Sequence, residues 1–412
     1  MSEFQFARYV GLDWGNEEHV VTVVDELGKV VAKRALKNDG DAADSLVDLL
    51  RRQGFDPAQV AVAVETRELP VVESLLEAAF VVFTINPKQL DRFRDRFSVA
   101  GAKDDVLDST VLASCLRTDM PLFTKVEPAP AICTRLRRAS RLRTSVVRER
   151  VALSNQLYSI VMRYFPALIA VCPHAGDPWF WDVLLLVERP GNIPSRIREK
   201  LTAILRLNRV RSSMSVDKIM AALEAKHFVC AEGVAEACFA SAKSVVERLR
   251  VVHQQELAQD EAVKLLIEEA KVEHADAKIL LSLPGVGEIN AAAMLGEASG
   301  LLLDRDYTRL RTQSGVAPVT NRSGKQGKKG HRRKPRVTMR RARNNALADA
   351  VFSAAWSATN QPGPFKDLYV RKKAEGCEHP AAIRSVGDKL LRVLVALLEK
   401  HELYDANHQA NA

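Results

Sequence analysis

The chain has 412 residues and carries 60 Lys and Arg against 51 Asp and Glu, a formal net charge of +9. That length exceeds a single ordinary core and predicts two or three domains, while the basic excess favours a polyanionic partner, above all nucleic acid. The opening MSEFQFARYVGLDWG lacks a long apolar stretch and no run is long enough to cross a bilayer, so neither secretion nor a membrane partner is expected. A cytoplasmic protein follows. The cysteines (Cys115, Cys133, Cys172, Cys230, Cys238 and Cys377) show no CxxC pairing. They suggest small core residues rather than a zinc cluster or a disulfide framework.

Along the chain, YVGLD, HVVTVVD and KVVAKR are short β-branched runs punctuated by Gly15-Asn16 and Leu27-Gly28, which predicts a three-strand meander. DAADSLVDLLRRQGF reads as a helix, QVAVAVE as a strand, LPVVESLLEAAF as a helix and VVFTINP as a strand. A meander followed by alternating helix and strand is an α/β arrangement, in the order of the ribonuclease-H-like fold. LDRFRDRF and DDVLDSTVLASCLR turn helical, and Pro121, Pro128 and Pro130 mark a hinge.

A long helix is predicted from Arg135 to Phe165. Ala139, Val146, Leu153 and Ile160 recur every seven residues, with Leu157 and Tyr164 offset by four, a coiled-coil seam interrupted by Arg143 and Arg150. Self-association through it is favoured, although a helix packed within its own domain gives the same pattern. HAGDPWFWDVLLLVERPGNIP forms a helical interlude, and residues 241–280 form a second long charged helix able to return antiparallel to the first. Two further helical stretches, ARNNALADAVFSAAWSA and HPAAIRSVGDKLLRVLVALLEK, close the chain.

Three groups of residues carry chemistry. Asp13 ends the first strand and Glu65 the fourth, neighbours in a ribonuclease-H-like sheet. Asp105 and Asp108 lie three apart on the next helix and share a face. Clustered carboxylates are what metal-dependent phosphoryl transfer requires, with Mg2+ the usual hard cation. Asp104 is a nearby competitor without an i/i+3 partner. Next, LPGVG at residues 283–287 precedes an alanine-rich helix. Gly285 and Gly287 there fit either a phosphate-binding helix-hairpin-helix turn or an ordinary helix connection. Last, NRSGKQGKKGHRRKPR holds Ser323 in a segment without acids: from Tyr307 to Ala348 there is no Asp or Glu. Lys325, Lys328, Lys329, Arg332, Arg333, Lys334, Arg336, Arg340 and Arg341 supply phosphate contacts. No local base activates the serine apart from His331, and Ser314 in TQSGVAP is the competing serine, read as a helix-end packing residue.

Taken in order, these motifs resemble the DEDD-type insertion-sequence transposases, the bridge-RNA-guided serine recombinases. GLDWGNEEHVVTVVDELGKVV, AVAVETRELPVVESLLEAAFVVFTINPKQLDRF and AKDDVLDSTVLA resemble the family's opening hairpin, glutamate segment and paired-aspartate motif. LSLPGVGEINAAAMLGE, SGVAPVTNRSGK and FKDLYVRKKAEGCEHPAAIRSVGDKLLRVLVALL resemble successive blocks of its C-terminal domain. The resemblance implies metal-binding acids at Asp13, Glu65, Asp105 and Asp108 and a catalytic serine at Ser323. It also implies a RuvC-like N-terminal domain over residues 1–125, a helical coiled-coil middle over 126–278 and a mainly α C-terminal transposase domain over 279–412. Double-stranded donor and target DNA, a structured noncoding bridge RNA and a homo-oligomer, dimer to tetramer, are the implied partners. The acids of one protomer would meet the serine of another, and the setting would be a bacterial cytoplasm at the nucleoid. This chain has Asp104-Asp105 where the family commonly has Thr-Asp, and Asp108-Ser109 where it has Asp-Ala, so Asp104 stays open as a ligand. A water-activating junction endonuclease and a non-catalytic nucleic-acid scaffold are the alternatives.

Overall fold

The computed structural model describes residues 6–66, 69–85, 87–97, 105–210, 214–226, 230–321, 336–338 and 340–405. The chain forms two compact units, Met1–Ala129 with Arg340–Ala342, and Pro130–Met339 with Arg343–Ala412.

The first unit is a six-stranded mixed sheet with helices on both faces. Strands β1 (Arg8–Trp14), β2 (Glu18–Asp25) and β3 (Val30–Lys37) form the antiparallel meander, followed by α1 (Ala42–Arg51), β4 (Val60–Val64), α2 (Pro70–Glu77) and β5 (Val81–Thr84). Then come α3 (Pro87–Phe97), α4 (Asp105–Thr118) and a short β6 (Thr124–Lys125) that the sequence does not announce. The order is β3-β2-β1-β4-β5-β6, with β4 parallel to β1 and β5. This mixed sheet is compatible with the ribonuclease-H-like expectation.

Alternation sets which helices cover which face. Val10, Leu12, Val60, Val62 and Val64 pack on one side with Leu46 and Leu50 of α1 and Val71 and Leu75 of α2. Tyr9, Ala61, Ala63 and Phe83 pack on the other with Leu90 of α3 and Leu112 and Leu116 of α4. All of β4 is buried, as expected of a central parallel strand covered on both faces. Small residues, Ala61, Ala63 and Gly11, interrupt the large ones on the face toward α4, and Gly11 is the extreme. A Cβ there would lie 1.9 Å from the Ser109 carbonyl oxygen and 2.6 Å from the Ala113 nitrogen, so only glycine lets α4 lie against β1.

The second unit is almost wholly helical. Helix α5 (Ala131–Tyr164) leads through α6 (Pro166–Ile169), α7 (Pro178–Val187), α8 (Ile197–Leu207) and α9 (Val216–Glu224) to α10 (Val234–Glu273). There follow α11 (Ala275–Ser282), α12 (Glu288–Leu303), α13 (Tyr307–Gln313), the hairpin β7 (Val319–Asn321) and β8 (Arg336–Thr338), α14 (Asn345–Thr359), α15 (Pro364–Ala374) and α16 (His379–Lys400). Helices α5 and α10 run antiparallel, as the ion pairs Arg135–Glu269, Arg143–Asp260 and Arg150–Glu256 show by their opposite order along the two helices. The second long helix therefore starts earlier than residue 241 and breaks at His274, where α11 begins.

The heptad seam meets this chain's own helices. Val146, Leu153, Leu157 and Tyr164 are buried in one core with Val245, Val246, Leu249 and Val252 of α10 and residues of α7. This corrects the expectation that the seam serves self-association: its apolar face is covered from within. Arg143 and Arg150, which interrupt the pattern, are the residues that reach across to acids of α10.

Candidate active site

The carboxyl ends of β1 and β4 assemble the acids. The parallel register pairs Leu12 with Val64, which sets the next residues, Asp13 and Glu65, level at the same edge of the sheet. Helix α4 starts with Asp105, which is exposed, and one turn later carries Asp108, 2% exposed. Close packing at Gly11 brings this turn over β1. The hydroxyl of Ser109 fixes it laterally, sharing a hydrogen bond of 2.8 Å with Thr22 of β2 and donating to the Val106 carbonyl at 3.1 Å. Ser109 thus has a physical task, tying the first turn of α4 to β2.

A residue that sequence reasoning missed completes the cluster. The guanidinium of Arg94, on α3, donates from Nε to Oδ1 of Asp108 and from Nη2 to Oδ2 at 2.7 Å. The same Nη2 lies 3.7 Å from Oε1 of Glu65, and Nη1 is 2.5 Å from Oδ1 of Asp91. Hydrogen bonding to Asp108 raises the Arg94 pKa above its ordinary value, with the charges of Asp108, Asp91 and Glu65 adding to it against burial. The only local signal was a charge-dense DRFRDR on one helix; the partner lies fourteen residues on and was invisible without the fold. Burying Asp108 without such a partner would be costly, because an isolated charge loses its hydration.

Asp13, Glu65, Asp105 and Asp108 offer only carboxylate oxygens, the donor type a hard divalent cation takes, two of them at one sheet edge and two on α4, and Arg94 holds both oxygens of Asp108. Arg94 already neutralises part of that charge.

In the second unit, residues Asn321 and Arg336 face each other across the β7–β8 ladder, so the basic segment leaves and returns at one point. Ser323, Lys325, Lys328, Lys329, Arg332, Arg333 and Lys334 lie outside the described residues, as does Asp104. Of the other expected contacts, Arg336 lies on β8, Arg340 is half-buried and Arg341 is exposed. Ser314 caps the C-terminus of α13, 3% exposed, with its hydroxyl 3.3 Å from the Arg311 carbonyl. In the turn between α11 and α12, Gly285 takes φ +80°, and a Cβ would meet the backbone of Ala354 and Ala358 on α14 at 2.3–2.4 Å. Gly287 is open and precedes the first turn of α12.

A buried carboxylate anchors the return from the basic segment. Glu297 on α12 accepts from Arg141 Nε at 2.6 Å and Nη2 at 2.9 Å, and from Asn344 Nδ2 at 2.7 Å. Asn344 is also the N-cap of α14, accepting from Leu347 N. Burial alone would raise the Glu297 carboxyl, but the hydrogen bonds from Arg141 and Asn344 outweigh it and leave it lowered.

The mixed sheet with helices on both faces is compatible with the ribonuclease-H-like class of domains. Residues 10–166 match the model of the DEDD, IS110-type transposases, and residues 277–370 that of the transposase IS116/IS110/IS902 family. The mini-circle putative transposase for IS117 of Streptomyces coelicolor is 31% identical, over 98% of this chain and 97% of its own length. The putative transposase y4uE of Sinorhizobium fredii is 38% identical over 49% of this chain and 57% of that protein. A 44.8 kDa protein of insertion element IS116 from Streptomyces clavuligerus is 26% identical over 96% of each chain. The chain belongs to the IS110/IS116/IS902 transposase family and is a DNA transposase of the insertion-sequence type. Among the described residues no helix is long and apolar enough to cross a membrane.

Proposed function

We propose that this transposase cuts and rejoins DNA strands through a covalent 5′-phosphoserine at Ser323. The hydroxyl oxygen attacks the phosphorus, the bond to the 3′ oxygen breaks, and the serine proton leaves to base or solvent while the 3′ oxygen takes one up. A 3′ hydroxyl of the exchange partner reverses the step, restoring the serine. One ester replaces another, so no nucleotide cofactor is consumed. Asp13, Glu65, Asp105 and Asp108 would hold Mg2+, which supplies charge neutralisation at the phosphate. The observation that carries this reading is the gathering of Glu65 and Asp108 about one guanidinium, level with Asp13, in a chain of this family.

The basic residues Lys325, Lys328, Lys329, Arg332, Arg333, Lys334, Arg336, Arg340 and Arg341 would clamp phosphates, with Gly285 and Gly287 at a second contact. A structured noncoding RNA would specify the donor and target duplexes, and the working form would be a homo-oligomer, dimer to tetramer, at the nucleoid. The acids of one protomer would serve the serine of another. The exposed Val251, Leu265 and Val272 of α10, at heptad multiples, offer an apolar stripe for such assembly.

The test is trapping on a suicide DNA substrate with its guide RNA. Wild type and Ser314→Ala form the covalent adduct and Ser323→Ala does not. An adduct on Ser323→Ala overturns the assignment, and hydrolysed products with no adduct in any variant favour a water-activating endonuclease.

A further inference from the structure

The loop between α6 and α7, Cys172-Pro-His174-Ala-Gly-Asp177, gathers three donors that neither the acids nor the serine segment uses. Cys172 Sγ lies 3.2 Å from His174 Nδ1 and 3.9 Å from Asp177 Oδ2, and one donor atom from each residue falls within 4.8 Å of the others. Tetrahedral zinc, with bonds of about 2.3 Å to sulfur and about 2.0–2.1 Å to nitrogen or oxygen, needs ligand atoms about 3.3–3.6 Å apart. The Cys172–His174 and Cys172–Asp177 separations are within a few tenths of an ångström of that spacing, and the exposed His174 and Asp177 side chains would turn to close the third. We propose that Cys172, His174 and Asp177 form a binding site for a borderline-soft divalent cation, zinc, within the helical unit.

The loop is built to hold this arrangement. Trp179 Nε1 donates to Asp177 Oδ2 at 3.1 Å, the kind of outer contact that orients a ligating carboxylate. Trp181 Nε1 donates to the Ala175 carbonyl at 2.9 Å, and Ala175 N donates to the Cys172 carbonyl at 2.9 Å. Ala175, fully buried, adopts φ +48°, a left-handed conformation costly for alanine, which folds the three donors toward one point. The polarity of the site is graded. Cys172 is 2% exposed, whereas the side chains of His174 and Asp177 are 68% and 45% exposed, so water can complete the coordination from the solvent side.

Two other uses of the same residues fit less well. As a nucleophile with His174 as base, Cys172 would have to meet a substrate, and its burial denies access. As a simple thiol–imidazole hydrogen bond, the pair leaves unexplained why Asp177, fixed by Trp179, is turned to the same point. On binding, the thiol loses its proton to solvent as the sulfur–metal bond forms, so each cation bound through sulfur releases one proton. The mixed soft and hard set separates this site from the acidic cluster, whose ligands are oxygen alone. Its effect would be to fasten the loop that seats Trp179 and Trp181 in the core of the helical unit.

The experiment titrates the purified full chain, stripped of metal, with cobalt(II). A thiolate-to-cobalt band in the near ultraviolet and the ligand-field bands of a tetrahedral site should saturate at one equivalent and disappear when zinc is added. Cys172→Ser should abolish the thiolate band. His174→Ala and Asp177→Asn, which leave the buried sulfur in place, should each weaken cobalt binding by more than about tenfold, and Trp179→Phe by about tenfold. Absence of a thiolate band in the wild type, or a band that survives Cys172→Ser, overturns the site. So does unchanged affinity in both His174→Ala and Asp177→Asn.

Discussion

Arg94 grips Asp108 through two parallel hydrogen bonds, Nε to Oδ1 and Nη2 to Oδ2, while the carboxylate is only 2% exposed. A fork of this kind satisfies a buried acid without water and places a positive charge between Asp108, Asp91 and Glu65. Substituting Arg94→Gln keeps much of the volume and removes the charge. In metal-free buffer the variant should lose about 3 kcal/mol, because Asp108 is left charged and unpaired. If the acids hold a divalent cation, magnesium should raise the melting temperature of Arg94→Gln by more than it raises that of the wild type. Equal magnesium effects on both would show that Arg94 and the cation do not share these carboxylates.

Gly11→Ala should disrupt the same site from beneath. The added methyl would meet the backbone of Ser109 and Ala113, which cannot rotate away, so α4 must lift from β1. A cost of about 3 kcal/mol is expected, with loss of strand transfer as Asp105 and Asp108 move from Asp13. Gly40→Ala, where a Cβ meets nothing within 4 Å, is the control and should be neutral. Denaturant midpoints of the two variants decide the matter.

Glu297 should make the helical unit acid-sensitive. Its folded carboxyl titrates below the ordinary value of 4.5, so its contribution is complete above that pH and is lost as pH falls through the lower folded value. Glu297→Gln removes the contribution. The stability gap between wild type and variant should therefore be widest near neutrality and narrow below pH 4.5. A gap that does not change with pH would show that the Arg141 and Asn344 contacts do not hold the charged form.

Salt should reveal the phosphate clamp. With Lys328 and Arg332 both changed to alanine, the slope of log affinity for DNA against log salt should fall by about two, since each neutralised phosphate contributes about 0.9. An unchanged slope would place the clamp elsewhere.

The sequence by itself determined the first five strands and their alternation with helices, because β-branched runs with glycine turns leave few topologies open, whereas β6 and the β7–β8 hairpin carried no such signal. It also placed Asp13, Glu65, Asp105 and Asp108 at strand ends and on one helical face, since those positions follow from local periodicity. Only the tertiary structure decided what those acids meet. Arg94 lies fourteen residues from Asp108 and on another helix, and Arg141 is 156 residues from Glu297. No periodicity encodes a pairing across such separations. The heptad seam of α5 shows the same limit: a stripe of apolar residues states that something must cover it, and α10 of the same chain, rather than a second copy, does so. Cys172, His174 and Asp177 were legible only as scattered residues, because a Cys-x-His-x-x-Asp spacing becomes a cluster only when Ala175 turns the backbone left-handed. Local sequence fixes which way side chains point along an element; long-range packing fixes which charges end up sharing a site.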